Sequence, residues 1–329
     1  MDLSDPTFHQ AESSAPTRSA VNFTVKRDAP AVVLVVFNRP QAVAQVLDRL
    51  AVLRPSRLFV IGDGPRASQP ADLGRVAAVR ALFERVPWDC ELLTDYAPEN
   101  LGCRRRVATG LNWVFSHVEE AIILEDDCLP TASFMSYASE LLERYRTDTR
   151  IGSVCGSLSV PRIPEITSDY FFSRYNLFTG WATWRRAWQL YDDAMTPLED
   201  GTLAQVLAAT FEQARARWYW NWLLRRTQSG LIDSWGYRWM LSCWCNSMLG
   251  IFPRRTLIEN VGFGGDATNT RRKAWYFRQE VGDLGFPLRH PHGVSRRADI
   301  DRLVEDARYS KSVGGRLRWA WEVVRDVCR

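Results

Sequence analysis

The sequence predicts an α/β fold with a mainly parallel, doubly wound sheet that carries helices on both faces. Between residues 31 and 145, short apolar runs alternate with longer amphipathic stretches. The runs are continuously apolar, which is typical of strands that are buried on both faces. Four strand and helix alternations follow one another there, and this arrangement produces parallel sheets.

The elements follow in order from Ala31, after a segment that contains Ser, Thr and Pro and lacks hydrophobic periodicity. Each predicted strand is an apolar run bounded by polar or turn-forming residues. In each predicted helix, apolar residues recur every three or four positions. The predicted strands are residues 32–37, 58–61, 90–93 and 121–124, and the predicted helices are residues 41–53, 72–86, 104–117 and 133–145.

Composition excludes several classes of protein. Apolar residues make up 46% of the chain and charged residues 24%, as in ordinary globular proteins, which excludes a disordered, collagen-like or coiled-coil chain. The longest apolar run, residues 31–37, is far shorter than the roughly 20 residues that span a bilayer. The 42 basic and 38 acidic residues nearly balance without a long basic run, so nucleic-acid binding is not expected.

Polar side chains follow every predicted strand. Part of this pattern is trivial, because strands end in polar loops. Sheets of this kind nevertheless bind ligands at the carboxyl ends of their strands, so these residues are candidates for a binding site. They are Asn38 and Arg39 after the first strand, Asp63 after the second, Asp95 after the third, and Glu125, Asp126 and Asp127 after the fourth.

The three consecutive acids are the most informative of these groups, and we call them the acid triplet. Their negative charges repel one another at the end of a buried strand, and a divalent cation would offset that repulsion. Mg²⁺ and Mn²⁺ use one or two carboxylates and complete their coordination with water and substrate phosphates. The acid triplet therefore predicts a metal that bridges a diphosphate and acts on the leaving group. A solvated acidic loop is the alternative interpretation.

Two other nucleotide-binding classes lose support. An apolar strand that ends in two acids also occurs in P-loop ATPases, but these need a Gly-x-x-x-x-Gly-Lys-Ser/Thr loop, which the sequence lacks. No Gly-x-Gly-x-x-Gly follows the first strand, which argues against a dinucleotide-dependent dehydrogenase. An α/β domain that holds a nucleotide diphosphate through a metal remains, and glycosyltransferases of the GT-A type are built in this way.

Six segments resemble N-acetylglucosaminyltransferase I-type enzymes and related bacterial family 2-like glycosyltransferases, over roughly residues 31–270. VVLVVFNRPQAVAQVLDRL, FVIGDGP, NLGCRRRVATGLNWVF and AIILEDDCLPTASFMSY resemble their donor-binding half. FTGWATWRRAW resembles the Gly-Trp loop of the acceptor side, and GIFPRRTLIENVGFGGDATNT resembles the late loop that closes over the donor. The resemblance implies a GT-A fold and the transfer of a sugar, with inversion, from a nucleotide diphosphate sugar, for which we expect a UDP-sugar.

The resemblance also implies roles for residues at the strand ends. Arg39 and Asp63 would contact the nucleotide, with the aspartate at the uracil edge, and Asn38 would belong to the same donor site. Arg104 and Arg105 lie where the family places a basic residue at the start of a helix, facing the diphosphate. A solvated basic helix face is the alternative for these two arginines.

The acid triplet receives its roles from the same resemblance. Asp127 would be the direct ligand of Mn²⁺ or Mg²⁺. Glu125 and Asp126 would contact the sugar or the ribose of the donor.

The sequence departs from the family at the expected catalytic base. Inverting transfer needs a carboxylate to deprotonate the acceptor hydroxyl, and the family places it in a Trp-Asp pattern ahead of the late loop. Here Gly236 or Tyr237 stands at that position. Three accounts stay open: Asp233 is the base, Asp266 on the Gly-rich loop is the base, or the chemistry is weakened or lost. We favour Asp233.

The 14 tryptophans are the other unusual feature of the composition. Sugars stack on flat aromatic faces, and Trp181 and Trp235 lie in segments predicted to line the acceptor side. We therefore predict that these two rings bind the acceptor and that most other tryptophans belong to the core. The acceptor would be a hydroxyl group of a glycan, of a lipid-linked molecule or of another bacterial glycoconjugate.

The order of the motifs predicts one catalytic domain in two parts. Residues 1–29 would be a flexible tail, residues 30–150 the donor-binding half, residues 151–300 the acceptor-binding half and residues 301–329 a C-terminal helical segment. The N-terminus lacks the features of a signal peptide, so we expect a cytoplasmic protein. The arginine-rich residues 315–329 either lie on an anionic membrane surface, at its inner face, or pack on the sheet.

Two rival functions stay open. A sugar nucleotidyltransferase uses a similar sheet, but it normally has a loop with glycine and lysine after the first strand, where this chain has Asn38-Arg39-Pro40. A sugar-nucleotide or glycan-binding protein without catalytic activity is the second rival, and Gly236 in place of an acid favours it.

Overall fold

The first part of the chain forms the four predicted alternations of strand and helix. The computed structural model describes residues 29–158, 163–262 and 280–308. Each of the four apolar runs is a strand, and each of the four amphipathic stretches is a helix. The elements are β1 (Ala31–Val36), α1 (Pro40–Leu53), β2 (Arg57–Gly62), α2 (Ala71–Ala81), β3 (Glu91–Tyr96), α3 (Gly102–His117), β4 (Glu120–Glu125), β5 (Cys128–Pro130) and α4 (Ala132–Arg144).

Two of these elements end at a different place from the predicted one. Helix α2 ends at Ala81, and the residues that follow turn Phe83 and Trp88 into the core, where both are buried. Strand β3 continues through polar residues to Tyr96, because it pairs with β2 over its whole length. It lies at the edge of the sheet and is only partly buried, so polar side chains are tolerated there.

The second part of the chain adds short strands and a group of helices. Its elements are β6 (Ile151–Cys155), β7 (Tyr170–Ser173), β8 (Trp181–Trp184), α5 (Arg185–Trp188), α6 (Thr196–Glu199), α7 (Leu203–Thr210), α8 (Ala214–Gln228), α9 (Trp235–Cys245), β9 (Leu249–Pro253), β10 (Ile258–Asn260) and α10 (Ala298–Arg308).

Eight strands form one sheet in the order β3-β2-β1-β4-β8-β6-β9-β7. The first four strands in this order are mutually parallel, as predicted. Strand β8 runs antiparallel to both of its neighbours, β6 and β9 are parallel, and β7 is antiparallel to β9. Strands β5 and β10 form a separate antiparallel pair. The sheet is therefore parallel in its first half and mixed in its second.

Helices cover both faces of the parallel half. Val32 and Leu34 of β1 belong to the same core cluster as residues of α1, α2 and α4. Ala31 and Val33, which alternate with them, belong to a cluster with residues of α3 and α9. Successive side chains of a strand point to opposite faces, so these clusters lie on the two sides of the sheet. This confirms the predicted α/β fold with helices on both faces.

The strand order places a topological switch point between β1 and β4. From β1 the chain passes through α1 to β2 and through α2 to β3, and α3 then returns it to the other side of β1. At such a point the connections diverge and leave a crevice at the carboxyl ends of the strands. Asn38 and Arg39 after β1 and the acid triplet at the end of β4 flank this crevice.

Within the described ranges, none of the helices has the length and apolar character needed to cross a bilayer. Residues 1–28, in the predicted tail, and residues 315–329, with the predicted arginine-rich segment, lie outside those ranges.

Helix α10 joins the domain through buried charged groups. Asp301 is fully buried and accepts hydrogen bonds from Ser173 Oγ at 2.6 Å and from Arg174 Nε at 3.3 Å. Ile300 and Val304 of the same helix are buried in a core cluster. The domain boundary that we predicted after residue 300 therefore falls inside a helix that packs against the sheet.

Replacing Asp301 with Ala should lower the free energy of unfolding by about 3 kcal/mol, because it removes one partner of a buried ion pair. The measurement is a urea titration followed by circular dichroism. Asp299→Ala is the control, since Asp299 pairs with Arg297 on the surface, and it should cost less than about 1 kcal/mol. Equal losses in the two variants would contradict the proposed anchoring of α10.

Candidate active site

The carboxyl ends of β1 and β4 bring Arg39 against the acid triplet. Arg39 Nε donates a hydrogen bond to Asp126 Oδ2 at 3.1 Å, and Arg39 Nη2 donates to Asp126 Oδ1 and, at 3.1 Å, to Asp127 Oδ2. The two strands are neighbours in parallel register, with Val35 opposite Glu125, so the residues that follow them meet. Arg39 therefore contacts the acids in this structure, and its contact with a nucleotide stays a prediction.

The acid triplet is largely shielded from water. Asp126 is 5% exposed, and the side chain of Asp127 is 13% exposed. Burial raises the pKa of Asp126 to about 6 in spite of Arg39. Burial, with the two carboxylates that follow, raises the pKa of Glu125 to about 8. These carboxyl groups are thus destabilised in their charged form, and an added cation would favour ionisation.

Asp127 is held by the last residue of β10 and by the segment that follows this strand. Its backbone oxygen accepts a hydrogen bond from Val261 N at 2.9 Å, and its Oδ1 lies 3.5 Å from Asn260 Nδ2. Gly262 approaches so closely that a Cβ atom there would overlap Asp127 Oδ2. Because β10 pairs with β5, directly after the triplet, strand pairing brings this glycine to the carboxylate.

Asp127 fits the chemistry of the predicted Mn²⁺ or Mg²⁺ ligand. Its carboxylate is partly accessible, so a cation can reach it. The described part of the chain contains no group of three or more His, Cys, Asp or Glu side chains that would hold a metal by itself. Mg²⁺ and Mn²⁺ that bind together with substrate phosphates need only one or two carboxylates, so a single aspartate agrees with such a site.

Asp63 and its neighbours connect β2 to the start of α3. The buried carboxylate of Asp63 accepts hydrogen bonds from Leu101 N at 2.9 Å, from Gly102 N at 3.1 Å and from Asn100 Nδ2 at 3.0 Å. Burial raises the pKa of Asp63, and the backbone hydrogen bonds oppose that rise. Both of its oxygens already have partners in the protein, which gives Asp63 a positioning role. A direct contact with the nucleotide stays a prediction.

Asn38 is also engaged within the protein. Its Nδ2 donates to Asp72 Oδ1 at 2.7 Å, and Asp72 accepts a further hydrogen bond from Arg66 Nε at 2.5 Å. The contact with Arg66 is the main reason why the pKa of Asp72 is lowered to about 2. Asn38 therefore ties the loop after β1 to the start of α2, and its predicted contact with the donor stays a prediction.

The start of α3 brings Asp233 to the same end of the sheet. Asp233 Oδ2 lies 3.5 Å from Arg104 N, and a Cβ atom on Gly102 would lie 3.1 Å from the same oxygen. Arg104 also donates from Nη1 to Asp193 at 3.3 Å. The side chain of Asp233 is 55% exposed, so it is accessible from solvent.

Cys103, in the first turn of α3, lies within electrostatic range of Asp233 and of the acid triplet. The protein packed around its sulfur atom raises the pKa of the thiol, and the charges of Glu125, Asp233, Asp63 and Asp126 add to that rise, although the residue as a whole is exposed. The rule for parallel sheets predicts that Asp63 and the triplet share one end of the sheet, whereas the approach of Asp233 depends on tertiary packing.

The three arginines at the start of α3 have different surroundings. Arg106 is buried and donates to the backbone oxygens of Gly62, at 3.1 Å, and Asp95, at 2.6 Å, so it joins the ends of β2 and β3. Arg105 is exposed, and Arg104 is shared between two aspartates. Only Arg104 and Arg105 are thus positioned to meet an anion from outside, and their contact with a diphosphate stays a prediction.

Packing excludes an acid at Gly236, one of the two positions that correspond to the family's base. Gly236 lies in the first turn of α9, and a Cβ atom there would overlap the ring of Phe178. That ring packs against Trp235 with 4.8 Å between ring centroids. The other candidate for the base, Asp266, lies outside the described residues. Asp233 is therefore the candidate whose surroundings the structure describes.

Trp181 and Trp235 are core residues in the structure, which corrects the acceptor role that we predicted for them. They are 0% and 2% exposed, and their rings stack with 5.6 Å between centroids. Trp188 and Trp239 pack against Trp181 in the same cluster. The ring faces are covered by other aromatic rings, so neither is available to a sugar.

Comparisons with known proteins add only distant likenesses. No family model and no curated protein matches the sequence. The chain is similar to a putative glucose-1-phosphate thymidylyltransferase from Bacillus anthracis in complex with sucrose, with 10% identity, 50% of this chain and 75% of that chain covered, and a TM-score of 0.32. It is also similar to the mannosyltransferase PcManGT from Pyrobaculum calidifontis in complex with GDP-Man and Mn²⁺, with 25% identity, 40% and 36% covered, and a TM-score of 0.29. Because these TM-scores are low, the two likenesses do not support a function for this chain, and the function is inferred from the geometry of its own residues.

Gly262→Ala should lower the free energy of unfolding by about 1–3 kcal/mol, because the added methyl group meets the carboxylate of Asp127. Asp127→Ala removes that carboxylate, so the same change at residue 262 should cost less in the Asp127→Ala background. Urea titrations of the four proteins measure this coupling. Gly74→Ala is the control, since a Cβ atom there has no neighbour within 4 Å. Additive effects of the two substitutions would show that the residues do not press on each other.

Proposed function

We propose that the protein is a glycosyltransferase that moves a sugar from a nucleotide diphosphate sugar, for which we favour a UDP-sugar, to a hydroxyl group of an acceptor. The observation that supports this most directly is the acid triplet at the switch point between β1 and β4, with Arg39 bound to it. Such crevices bind ligands, and nucleotides are common among them. Carboxylates that line a site for a diphosphate need a cation between the two sets of negative charges.

Asp127 is the residue that would hold Mn²⁺ or Mg²⁺ in this proposal. When bound, the metal would neutralise the negative charge that develops on the leaving diphosphate. Arg39 holds Asp126 through both of its carboxylate oxygens and so orients it toward the donor. Glu125, the last residue of β4, would contact a hydroxyl group of the sugar or ribose.

Asp233 accepts the proton of the acceptor hydroxyl in the proposed reaction. Its carboxylate is exposed and lies beside the first turn of α3, at the carboxyl end of the sheet. The acceptor hydroxyl attacks the anomeric carbon from the side opposite the diphosphate, so the configuration at that carbon is inverted. The bond between the sugar and the diphosphate breaks, and the nucleoside diphosphate leaves. A glycan or lipid-linked hydroxyl is the acceptor that we propose.

The deciding experiment measures release of nucleoside diphosphate from a panel of nucleotide sugars, with Mn²⁺ and with EDTA, and with a mixture of glycan and lipid-linked acceptors. Release that needs both the cation and an acceptor supports the proposal. Formation of a nucleotide sugar and pyrophosphate from a sugar phosphate and a nucleoside triphosphate would instead identify a nucleotidyltransferase. Binding without any turnover would identify a binding protein.

Asp127→Asn should abolish the metal-dependent binding of UDP. The wild-type protein should show a higher melting temperature with UDP and Mn²⁺ together than with either alone, and the variant should lose this increase. Thermal melting with the four combinations of ligands provides the measurement. Glu120→Gln is the control and should keep the full increase, because Glu120 is the first residue of β4 and Asp127 follows the other end of this strand. Retention of the increase in Asp127→Asn would exclude Asp127 as the ligand.

Asp233→Asn should lower turnover by about 10²–10⁴-fold, because the amide cannot accept the proton of the acceptor. Binding of the donor nucleotide, measured by isothermal titration calorimetry, should stay unchanged. Asp89→Asn is the control. Asp89 is exposed and precedes the amino end of β3, whereas the candidate site lies at the carboxyl ends of the strands. A fully active Asp233→Asn protein would exclude Asp233 as the base and leave Asp266 as the candidate.

A further inference from the structure

The solvent side of α8 carries an exposed tryptophan. The buried residues of this helix, from Ala216 to Thr227, occupy one side of it. Trp218 lies on the opposite side, and 64% of it is exposed. Arg225 lies two turns after Trp218. Residues seven positions apart lie on one face of a helix, so Arg225 is on the same side as Trp218. Because most of this indole ring is exposed, it gains little of the stabilisation that a tryptophan buried in a core provides.

The charges of α8 all have the same sign. The helix has the sequence ARARWYWNWLLRRTQ, with four arginines and no acid. Arg215 is paired with Asp306. Across residues 29–158, 163–262 and 280–308, the ion pairs include none between a carboxylate and Arg217, Arg225 or Arg226. The solvent side of the helix therefore carries positive charge near its exposed tryptophan, with Arg225 exposed and Arg226 half-buried over the ring of Trp222.

The chain after α8 extends this surface. Gly230 has a φ of +80° and ends the helix, and Ile232 N donates to Arg226 O at 3.2 Å, which folds the segment back onto the last turn. Leu231, between these two residues, is 56% exposed. An exposed leucine therefore lies close to the arginines at the end of α8.

We propose that Trp218, Arg225, Arg226 and Leu231, which we call the α8 surface, bind the anionic face of a lipid bilayer. Indole rings favour the interface between the headgroups and the acyl chains. Arginine side chains are attracted to the phosphates of anionic lipids, and the helix has no acidic residue to oppose that attraction. The apolar face of α8 is buried in the domain, so the proposed contact uses its solvent side, with Trp218 as the apolar anchor.

The α8 surface is followed closely in the chain by the proposed base. Only Ile232 separates Leu231 from Asp233 in the chain. If the proposed function holds, on which this step alone rests, a lipid-linked acceptor in the bound bilayer would present its hydroxyl group close to Asp233. The membrane contact would then select acceptors that are anchored in a bilayer over acceptors that are free in solution.

Co-sedimentation of the full chain with vesicles tests the proposed membrane contact. Vesicles of phosphatidylcholine alone are compared with vesicles of phosphatidylcholine and phosphatidylglycerol. We expect binding to the anionic vesicles, weak binding to the neutral ones, and loss of binding in high salt, which screens charge. Absence of binding to anionic vesicles would overturn the proposal. This assay needs no donor, acceptor or turnover, so its outcome is separate from that of the glycosyltransferase assay.

Variants locate the contact on the chain. Arg225→Glu and Trp218→Ala should each lower the partition coefficient by roughly fivefold or more. Arg75→Glu and Leu73→Ala on α2 are matched controls, because both residues are exposed on a helix and Leu73 is 69% exposed. Equal binding of all four variants would overturn the proposal and move the contact to another part of the chain. Trp218→Ala would also overturn it if it dissociated a dimer in analytical ultracentrifugation without any effect on vesicle binding.

Discussion

The contact between Arg39 and the acid triplet is the interaction on which the arrangement of the site depends. Three carboxylates at the end of a buried strand lose much of their hydration, and a guanidinium that bonds two of them offsets part of that cost. Arg39 reaches them because β1 and β4 are parallel neighbours, and Pro40 begins α1 immediately after it. The electrostatics of the site thus follow from the order of strands in the sheet, and a different order would separate these charges.

The parallel half of the fold could be predicted because burial on both faces leaves continuous apolar strands, such as residues 121–124 between Glu120 and Glu125. The ends of the helices and strands could be predicted less well from the sequence. The polar end of β3 is a strand only because β2 pairs with it, and α2 stops where Phe83 and Trp88 turn inward. Strand β8 pairs with β4 and β6, which are distant from it in the sequence, so its place in the sheet depends on tertiary packing.

The candidate site, like the fold, has a part that the sequence predicts and a part that depends on tertiary packing. Which residues follow the strands, Arg39 and Asp127 among them, can be read from the sequence because the rule for parallel sheets needs only the order of elements. Their partners come from remote loops, as with the approach of Gly262 to Asp127. The error at Trp181 and Trp235 has a related cause. An aromatic ring suits a sugar platform and a core equally well, and only burial, which depends on the whole fold, separates the two.

The contact between Gly236 and Phe178 limits how this site could change by substitution. The family's acid corresponds to residue 236 or 237 of this chain, and at residue 236 the Cβ atom of an aspartate would overlap the ring of Phe178. The ring would have to be replaced by a smaller side chain in the same step, which would in turn expose part of Trp235. A single substitution at residue 236 is therefore blocked by packing. The aromatic core thus limits where a new carboxylate can enter this part of the chain, whatever the chemistry would favour.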